Sequence, residues 1–239
     1  MEKYGIIGAM ESEVKELGQS LQNKEVYEYA GLSFMCGFLG GKNVVIVKSG
    51  IGKVNAALCA QALILKFNVT AIINTGIAGA LRSGLGVFDF VISTAALYHD
   101  FDTRAFGYKM GQVPGMEAVF PADKALGQLA LEAFEKTEFA KEHKAVMGLV
   151  ASGDQFISDS RQKKIIAANF EPACVEMEGA AIAHACYLNK VPFVIVRCMS
   201  DMADDTVEET YSFNEDVCAD ACACLVIKML EISEEKNEI

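Results

Sequence analysis

The chain has 239 residues, 52% of them hydrophobic and 22% charged, and a domain of this length buries roughly 70–75% of its unfolded surface. With 21 basic and 32 acidic residues the net charge is −11, which argues against partners bound through a phosphate backbone and against anionic membrane surfaces. No apolar run reaches the ~18–20 residues of a membrane span. Gly5–Met10, followed at once by Glu11 and Glu13, is too short for a signal peptide, so a cytoplasmic protein with reduced thiols is expected.

In chain order, Tyr4–Ile7 reads as a buried strand ending at Gly8, and Ser12–Leu21 as a helix. Glu25–Tyr29, Ser33–Phe38 and Val44–Lys48 read as strands divided by the Ala30-Gly31 and Gly40-Gly41 turns. Lys53–Phe67 carries Val54, Leu58, Ala62 and Leu65 at helical spacing. Ala71–Asn74 and Phe88–Ser93 are short apolar strands. Residues 97–121 show no period and hold several glycines and prolines, and a loop of that length usually has a function or a partner. Asp123–Glu135 is a helix, Ala145–Ser152 a strand, Arg161–Asn169 a short helix and Val175 the end of a brief strand. Gly179–Tyr187 is a helix, Phe193–Cys198 a strand, Asn214–Leu230 a long helix, and Glu231–Ile239 a polar, frayed tail. Strands apolar at nearly every position are covered on both faces, which predicts a three-layer α/β/α sandwich with a mixed central sheet in a single domain spanning 1–239.

Ligands of open α/β sheets collect beyond the carboxyl ends of strands. Those ends carry Gly8-Ala9-Met10-Glu11-Ser12-Glu13, Ser49-Gly50-Ile51-Gly52-Lys53, Thr75-Gly76-Ile77-Ala78-Gly79, Ser152-Gly153-Asp154, Glu176-Met177-Glu178 and Arg197-Cys198-Met199-Ser200-Asp201. The Gly50/Gly52 pair falls short of a dinucleotide fingerprint, because Asn55 stands where the third glycine belongs and Asn74 where the ribose-binding acid would be. Glu13, Glu178 and Asp201 are candidates for a shared acid–base site. Each is equally the acid that a helix start favours, and position in sequence does not show that they converge. Arg197 reads as an ion-pair partner or as a group that tunes these acids. Cys218 and Cys222 share a helix face, but no histidine is near them in sequence, so no metal and no cofactor is expected.

Taken together, Gly5–Glu13, Lys48–Ala57, Ile73–Gly76, Tyr98–Asp100, Ala105–Tyr108, Ser152–Ile157, Val175–Glu178 and Ser200-Asp201 resemble the bacterial 5'-methylthioadenosine/S-adenosylhomocysteine nucleosidases, and the likeness extends to about Phe213. The resemblance implies a nucleoside phosphorylase-like fold and a homodimer. The implied reaction is hydrolysis of 5'-methylthioadenosine, S-adenosylhomocysteine and 5'-deoxyadenosine to adenine and a 5-substituted ribose, in methionine salvage and the recycling of adenosylmethionine by-products. It makes Glu13 the base that activates water and Asp201, helped by Ser200, the acid that protonates adenine N7. Met177 and Glu178 would hold the ribose, Phe156 and Ile157 the adenine, and Gly79 the site wall. Met10, Ile51 and Phe213 would line the 5'-pocket, with Thr103, Phe106 and Pro114 supplied by the partner subunit. His99 reads as a structural or interface histidine. Ile77, where relatives often have Ser, and the bulky Cys198-Met199 depart from the pattern.

The chemistry suits these roles. Adenine leaves poorly as an anion, so an acid at N7 and a carboxylate that orients water parallel the acid and base of inverting glycosidases. The rival readings are a nucleoside phosphorylase, a futalosine-type nucleoside hydrolase and a non-catalytic nucleoside binder. Phosphate calls for cationic donors such as an arginine fork; relatives that use phosphate place an arginine near the position of Asn74, and this chain has none there.

Overall fold

A computed structural model describes residues 2–205 and 207–237, the side chains of 207–213 and 236–237 excepted. The elements follow in the order β1 (Lys3–Gly8), α1 (Glu11–Gln19), β2 (Gln22–Tyr29), β3 (Leu32–Leu39), β4 (Lys42–Lys48), α2 (Lys53–Phe67), β5 (Ala71–Ala80) and β6 (Phe90–Tyr98). They continue with β7 (Phe120–Pro121), α3 (Lys124–Glu135), β8 (Ala145–Ser152), α4 (Ser160–Phe170), β9 (Cys174–Glu176), α5 (Gly179–Asn189), β10 (Phe193–Asp201) and α6 (Val207–Asn237).

Among the described residues these strands form one ten-stranded mixed sheet. β1 lies parallel to both β4 and β5, while β2 and β3 extend the sheet as an antiparallel edge. Beyond β5 the sheet curls: β5 pairs β9, β9 pairs β8, β8 pairs β6, β6 pairs β10, and β10 returns to pair β5 in parallel. This ring gathers the carboxyl ends of several strands around one space. Helices cover both faces, as expected for strands with no polar side. One core joins Ala56, Cys59 and Leu63 of α2 and Ala180, Ala181 and Ile182 of α5 to the sheet. The other joins Val14 and Leu17 of α1, Ala130 and Phe134 of α3, and Leu225, Val226 and Met229 of α6.

Several boundaries differ from the sequence reading, for physical reasons. β5 runs through to Ala80 rather than ending at Asn74. Its first polar residue is satisfied internally, since Asn74 Nδ2 donates to Ile7 O and Asn74 Oδ1 accepts from Arg197. β6 begins at Phe90 and runs to Tyr98, with Phe88 in a left-handed turn at φ 68°. The aperiodic stretch therefore starts after Tyr98, and it holds a 3₁₀ turn at Arg104–Phe106 and the short β7. β10 likewise reaches Asp201, three residues past the apolar run that ends at Cys198.

The expected frayed tail is helical through Asn237. It is held by the ion pair between the buried Lys42 and Glu234 at 2.7 Å and by the Tyr4–Ser233 hydroxyl contact at 3.3 Å. No described helix is long and apolar enough to cross a membrane.

Candidate active site

The ring of strands opens into a cavity of about 100 Å³ lined by Ala9, Met10, Glu13, Ile51, Ile77, Ala78, Gly79, Gln155, Phe156, Ile157, Val175, Glu176, Met177, Glu178, Arg197, Ser200 and Asp201. It therefore collects Glu13, Asp201, Met10, Ile51, Gly79, Phe156, Ile157, Met177, Glu178 and Ser200 from six separate strand ends. The side chain of Phe213 lies outside the described residues. Thr103, Phe106 and Pro114 are absent from this wall. Thr103 Oγ1 donates to Gln112 O, while Phe106, 79% exposed, and Pro114 stand in solvent. Sequence reading passed over Glu176 and Gln155, since a strand-terminal Glu beside Met177-Glu178 and a loop Gln carry no spacing signal of their own.

Glu13 sits in the first turn of α1, where acids are favoured by the helix dipole, yet its side chain is only 2% exposed. Its Oε2 accepts the Ala9 and Met10 amides at 2.5 and 3.0 Å, and its Oε1 accepts the Ile77 amide at 3.0 Å. Burial pushes its pKa up, against the pull of Arg197 and of those three amides. Gly76, at φ 154°, leaves room for this carboxylate, because a Cβ there would run into both Glu13 and the Arg197 guanidinium. Ile77 presents only its backbone to Glu13, and its side chain packs in the core beneath α6.

Asp201 ends β10 just after an irregularity in register: Met199 faces Ala78 and Asp201 faces Gly79, with Ser200 as the extra residue. Ser200 Oγ donates to Asp201 Oδ2 at 2.8 Å and the Ala203 amide to Oδ1 at 2.7 Å. Burial raises the pKa of this carboxyl despite those two donors; Asp204 adds to the rise and Lys163 opposes it.

Beside Glu13, the Arg197 guanidinium serves a cluster of three carboxylates. Arg197 is fully buried, hydrogen-bonds Glu176, donates to Asn74 Oδ1 at 2.8 Å and Ile77 O at 3.2 Å, and lies 3.5 Å from Glu178 and 3.7 Å from Glu13. Burial works against its charge, but the carboxylates of Glu176, Glu178 and Glu13 outweigh it and hold the guanidinium protonated. Arg197 is thus both an ion-pair anchor and a tuner. Glu176 also accepts the Glu178 and Gly179 amides at 3.0 and 2.7 Å, and with Ser152 it caps the start of α5. Glu178 Oε1 accepts the Gly52 amide at 2.9 Å. Burial, then the Glu176 charge, lifts its pKa to about 7.

Removing one partner of a buried ion network leaves uncompensated charge, at a cost of roughly 3–5 kcal/mol. Arg197→Met is expected to lower the free energy of unfolding by about that much, measured by urea titration at neutral pH. A loss of less than about 1 kcal/mol, the scale of an exposed pair, would show that the three carboxylates do not rely on this cation.

Cys218 and Cys222 are packing groups on the buried face of α6: Cys218 Sγ donates to Met199 O at 3.4 Å and Cys222 Sγ to Gly76 O at 3.1 Å. His99 lies beside Gly153 at the back of the site, and its buried Nε2 has no hydrogen-bond partner among the described residues.

Comparison with known proteins agrees with this geometry. The family model of the phosphorylase superfamily matches residues 3–231. A 5'-methylthioadenosine/S-adenosylhomocysteine nucleosidase of Shewanella denitrificans is 47% identical over 204 residues, covering 85% of this chain and 87% of the relative. The crystal structure of the corresponding nucleosidase of Colwellia psychrerythraea in complex with adenine superposes with a TM-score of 0.92 at 43% identity, over 96% of this chain and 94% of that one. Futalosine hydrolase of Helicobacter pylori superposes with a TM-score of 0.90 at 29% identity, over 96% and 97% of the two chains. A cavity walled by carboxyls from successive strand ends, a family match over nearly all of the sequence and relatives at this identity lead to one conclusion: the chain belongs to the 5'-methylthioadenosine/S-adenosylhomocysteine nucleosidase family of the phosphorylase superfamily.

Proposed function

We propose that this protein hydrolyses the N-glycosidic bond of 5'-methylthioadenosine and S-adenosylhomocysteine, with 5'-deoxyadenosine as a further substrate, and so serves methionine salvage and the recycling of adenosylmethionine by-products. The observation that carries the reading is the meeting of Glu13 and Asp201 in one cavity, each with a pKa raised by burial. Asp201 gives its proton to N7, the C1′–N9 electron pair leaves with the base, and adenine departs neutral. Water adds to the oxocarbenium-like sugar and its proton passes to Glu13. Met177 and Glu178 hold the ribose, with Glu178, gripped by the Gly52 amide, on its hydroxyls. Phe156 and Ile157 flank the base, and Met10 and Ile51 make an apolar channel for the 5'-tail, the side on which Phe213 would also lie.

The charge of the cavity favours water over phosphate as nucleophile. Four carboxyls, Glu13, Glu176, Glu178 and Asp201, face it with Arg197 as the one cation in its lining, and that guanidinium is already engaged. Asn74 is buried and bonded within the sheet, so it offers a phosphate no fork. Adenine release from 5'-methylthioadenosine is expected to proceed at the same rate with and without added phosphate. A strict phosphate requirement would make the protein a phosphorylase, and faster turnover of futalosine would reassign it to that class.

A homodimer completes this reading. Val54, Leu58 and Leu65 form one exposed apolar face of α2, and Leu188 and Phe106 are also exposed. A second copy covering that face would bring Thr103, Phe106 and Pro114 toward the neighbouring cavity. The cytoplasm, where the thiols stay reduced, suits the buried free cysteines.

A further inference from the structure

The Gly52 amide on Glu178 belongs to a glycine turn in which Gly50 and Gly52 both have positive φ, 83° and 99°. Locally the turn is held by Ser49 Oγ on Gly50 O at 2.8 Å and by Asn55 Nδ2 on Ile51 O at 2.7 Å. The next residue, Lys53, ties it to two other strand ends. Its amide donates to Asp154 Oδ1 at 2.8 Å, and its ammonium donates to both oxygens of Asp100 at 2.7 and 2.6 Å and lies 3.6 Å from Asp154 Oδ2. Asp100 Oδ2 accepts the Asp154 amide at 2.8 Å. The group is sheltered: the Lys53 and Asp100 side chains are 22% and 14% exposed, and the ammonium sits 5.5 Å over the Tyr98 ring. The His99 ring backs the loop, closing so tightly against Gly153 that a Cβ there would strike it. Although burial alone would raise it, the pKa of Asp100 is held below its usual value by the Lys53 ammonium and the Asp154 amide.

Three strand ends are tied by this arrangement: the β4–α2 turn, the end of β6 and the β8–α4 loop. Two of the three have a counterpart in the cavity, the β4–α2 turn through Ile51 and the β8–α4 loop through Gln155, Phe156 and Ile157. Ile51 and Gly52 precede Lys53, and Gln155, Phe156 and Ile157 follow Asp154 directly. We infer that Lys53, Asp100 and Asp154 form a clasp that positions the ribose-binding and base-binding edges of the cavity relative to each other, making Lys53 and Asp100 positioning residues. The inference rests on the nucleosidase reading for the identity of the substrate, and on the hydrogen-bond geometry alone for the clasp.

The test compares wild type, Lys53→Met, Lys53→Arg and Asp100→Asn. Charge-assisted hydrogen bonds that order a binding surface act on ground state and transition state alike. Lys53→Met and Asp100→Asn are therefore expected to raise KM for 5'-methylthioadenosine about tenfold while kcat stays within about threefold, and Lys53→Arg to keep KM within about threefold of wild type. Adenine, titrated calorimetrically, is expected to bind the first two variants at least about threefold more weakly. If Lys53→Met does not fold, Asp100→Asn, which keeps the side-chain shape, carries the comparison. Unchanged KM and unchanged adenine affinity in a folded variant would overturn the clasp, as would a fall in kcat with KM preserved. Wild-type turnover tests the nucleosidase reading separately, and the adenine titration reads the clasp without any turnover.

Discussion

Asp201→Asn is expected to slow adenine release from 5'-methylthioadenosine by about 10² to 10⁴-fold, the usual worth of one positioned general acid, while leaving the fold intact. The amide keeps the volume and can still accept from the Ala203 amide, one of the two donors now on the carboxyl, so stability should change little. What it loses is a transferable proton. Without N7 protonation the base must depart as an anion, and among the described residues the cation in the cavity lining, Arg197, is already engaged by carboxylates. Because burial raises the Asp201 pKa, the acid form persists to higher pH than for an exposed Asp, and wild-type kcat should fall on the alkaline side as that proton is lost. The variant should lack this limb. Initial rates across pH, with KM measured at each point, check both parts. A variant with near-normal kcat would remove Asp201 from the acid role.

The second large effect is expected at Glu13. Glu13→Gln should cost about 10² or more in kcat, with a smaller change in KM, since the group acts on water in the transition state rather than on the bound nucleoside. An additional penalty follows from the geometry. Both carboxylate oxygens accept backbone amides, so a Gln must point its NH₂ at a donor and forfeit one of these bonds. The side chain is then both unable to take a proton and pushed from its seat. Glu13→Asp separates the two causes, because it restores basicity but falls short of the Ile77 amide. The base role predicts partial recovery of kcat in Glu13→Asp over Glu13→Gln, read by single-turnover rates. Equal rates for the two variants would make Glu13 a structural anchor of the loop at Ala9-Met10.

Much of this arrangement is legible in the chain because both the layers and the site leave strong physical traces. Strands such as Val44–Val47 and Phe193–Val196 are apolar throughout because both sheet faces are covered. The acids that follow them cannot be explained by core packing. Resemblance then assigned roles that spacing could not. The missed portions share a cause. Thr75 and Gly76 look like a loop, yet they continue β5 past Asn74, which Arg197 and Ile7 satisfy inside the sheet, and Gly76 makes room for Glu13. Glu176 reads as one more strand-end acid with no role of its own until Arg197, 21 positions later, closes on it. The polar Glu231–Asn237 stretch has no apolar stripe, but its order comes from Lys42 and Tyr4, far away in sequence. A polar residue buried by a distant partner gives no local periodicity, and that is where local reading stops.

The extra residue at Ser200 sets how tolerant the β10 terminus can be to genetic change. Along a strand, adding or removing one residue turns every later side chain to the opposite face, and here two residues of one strand already stand against one of its neighbour. The aim of the acid is thus fixed by a count rather than by an identity. Exchange of Met199 for another residue of similar bulk leaves that count alone, whereas an in-frame deletion anywhere between Cys198 and Asp201 would carry the carboxyl out of its chamber without altering its chemistry at all.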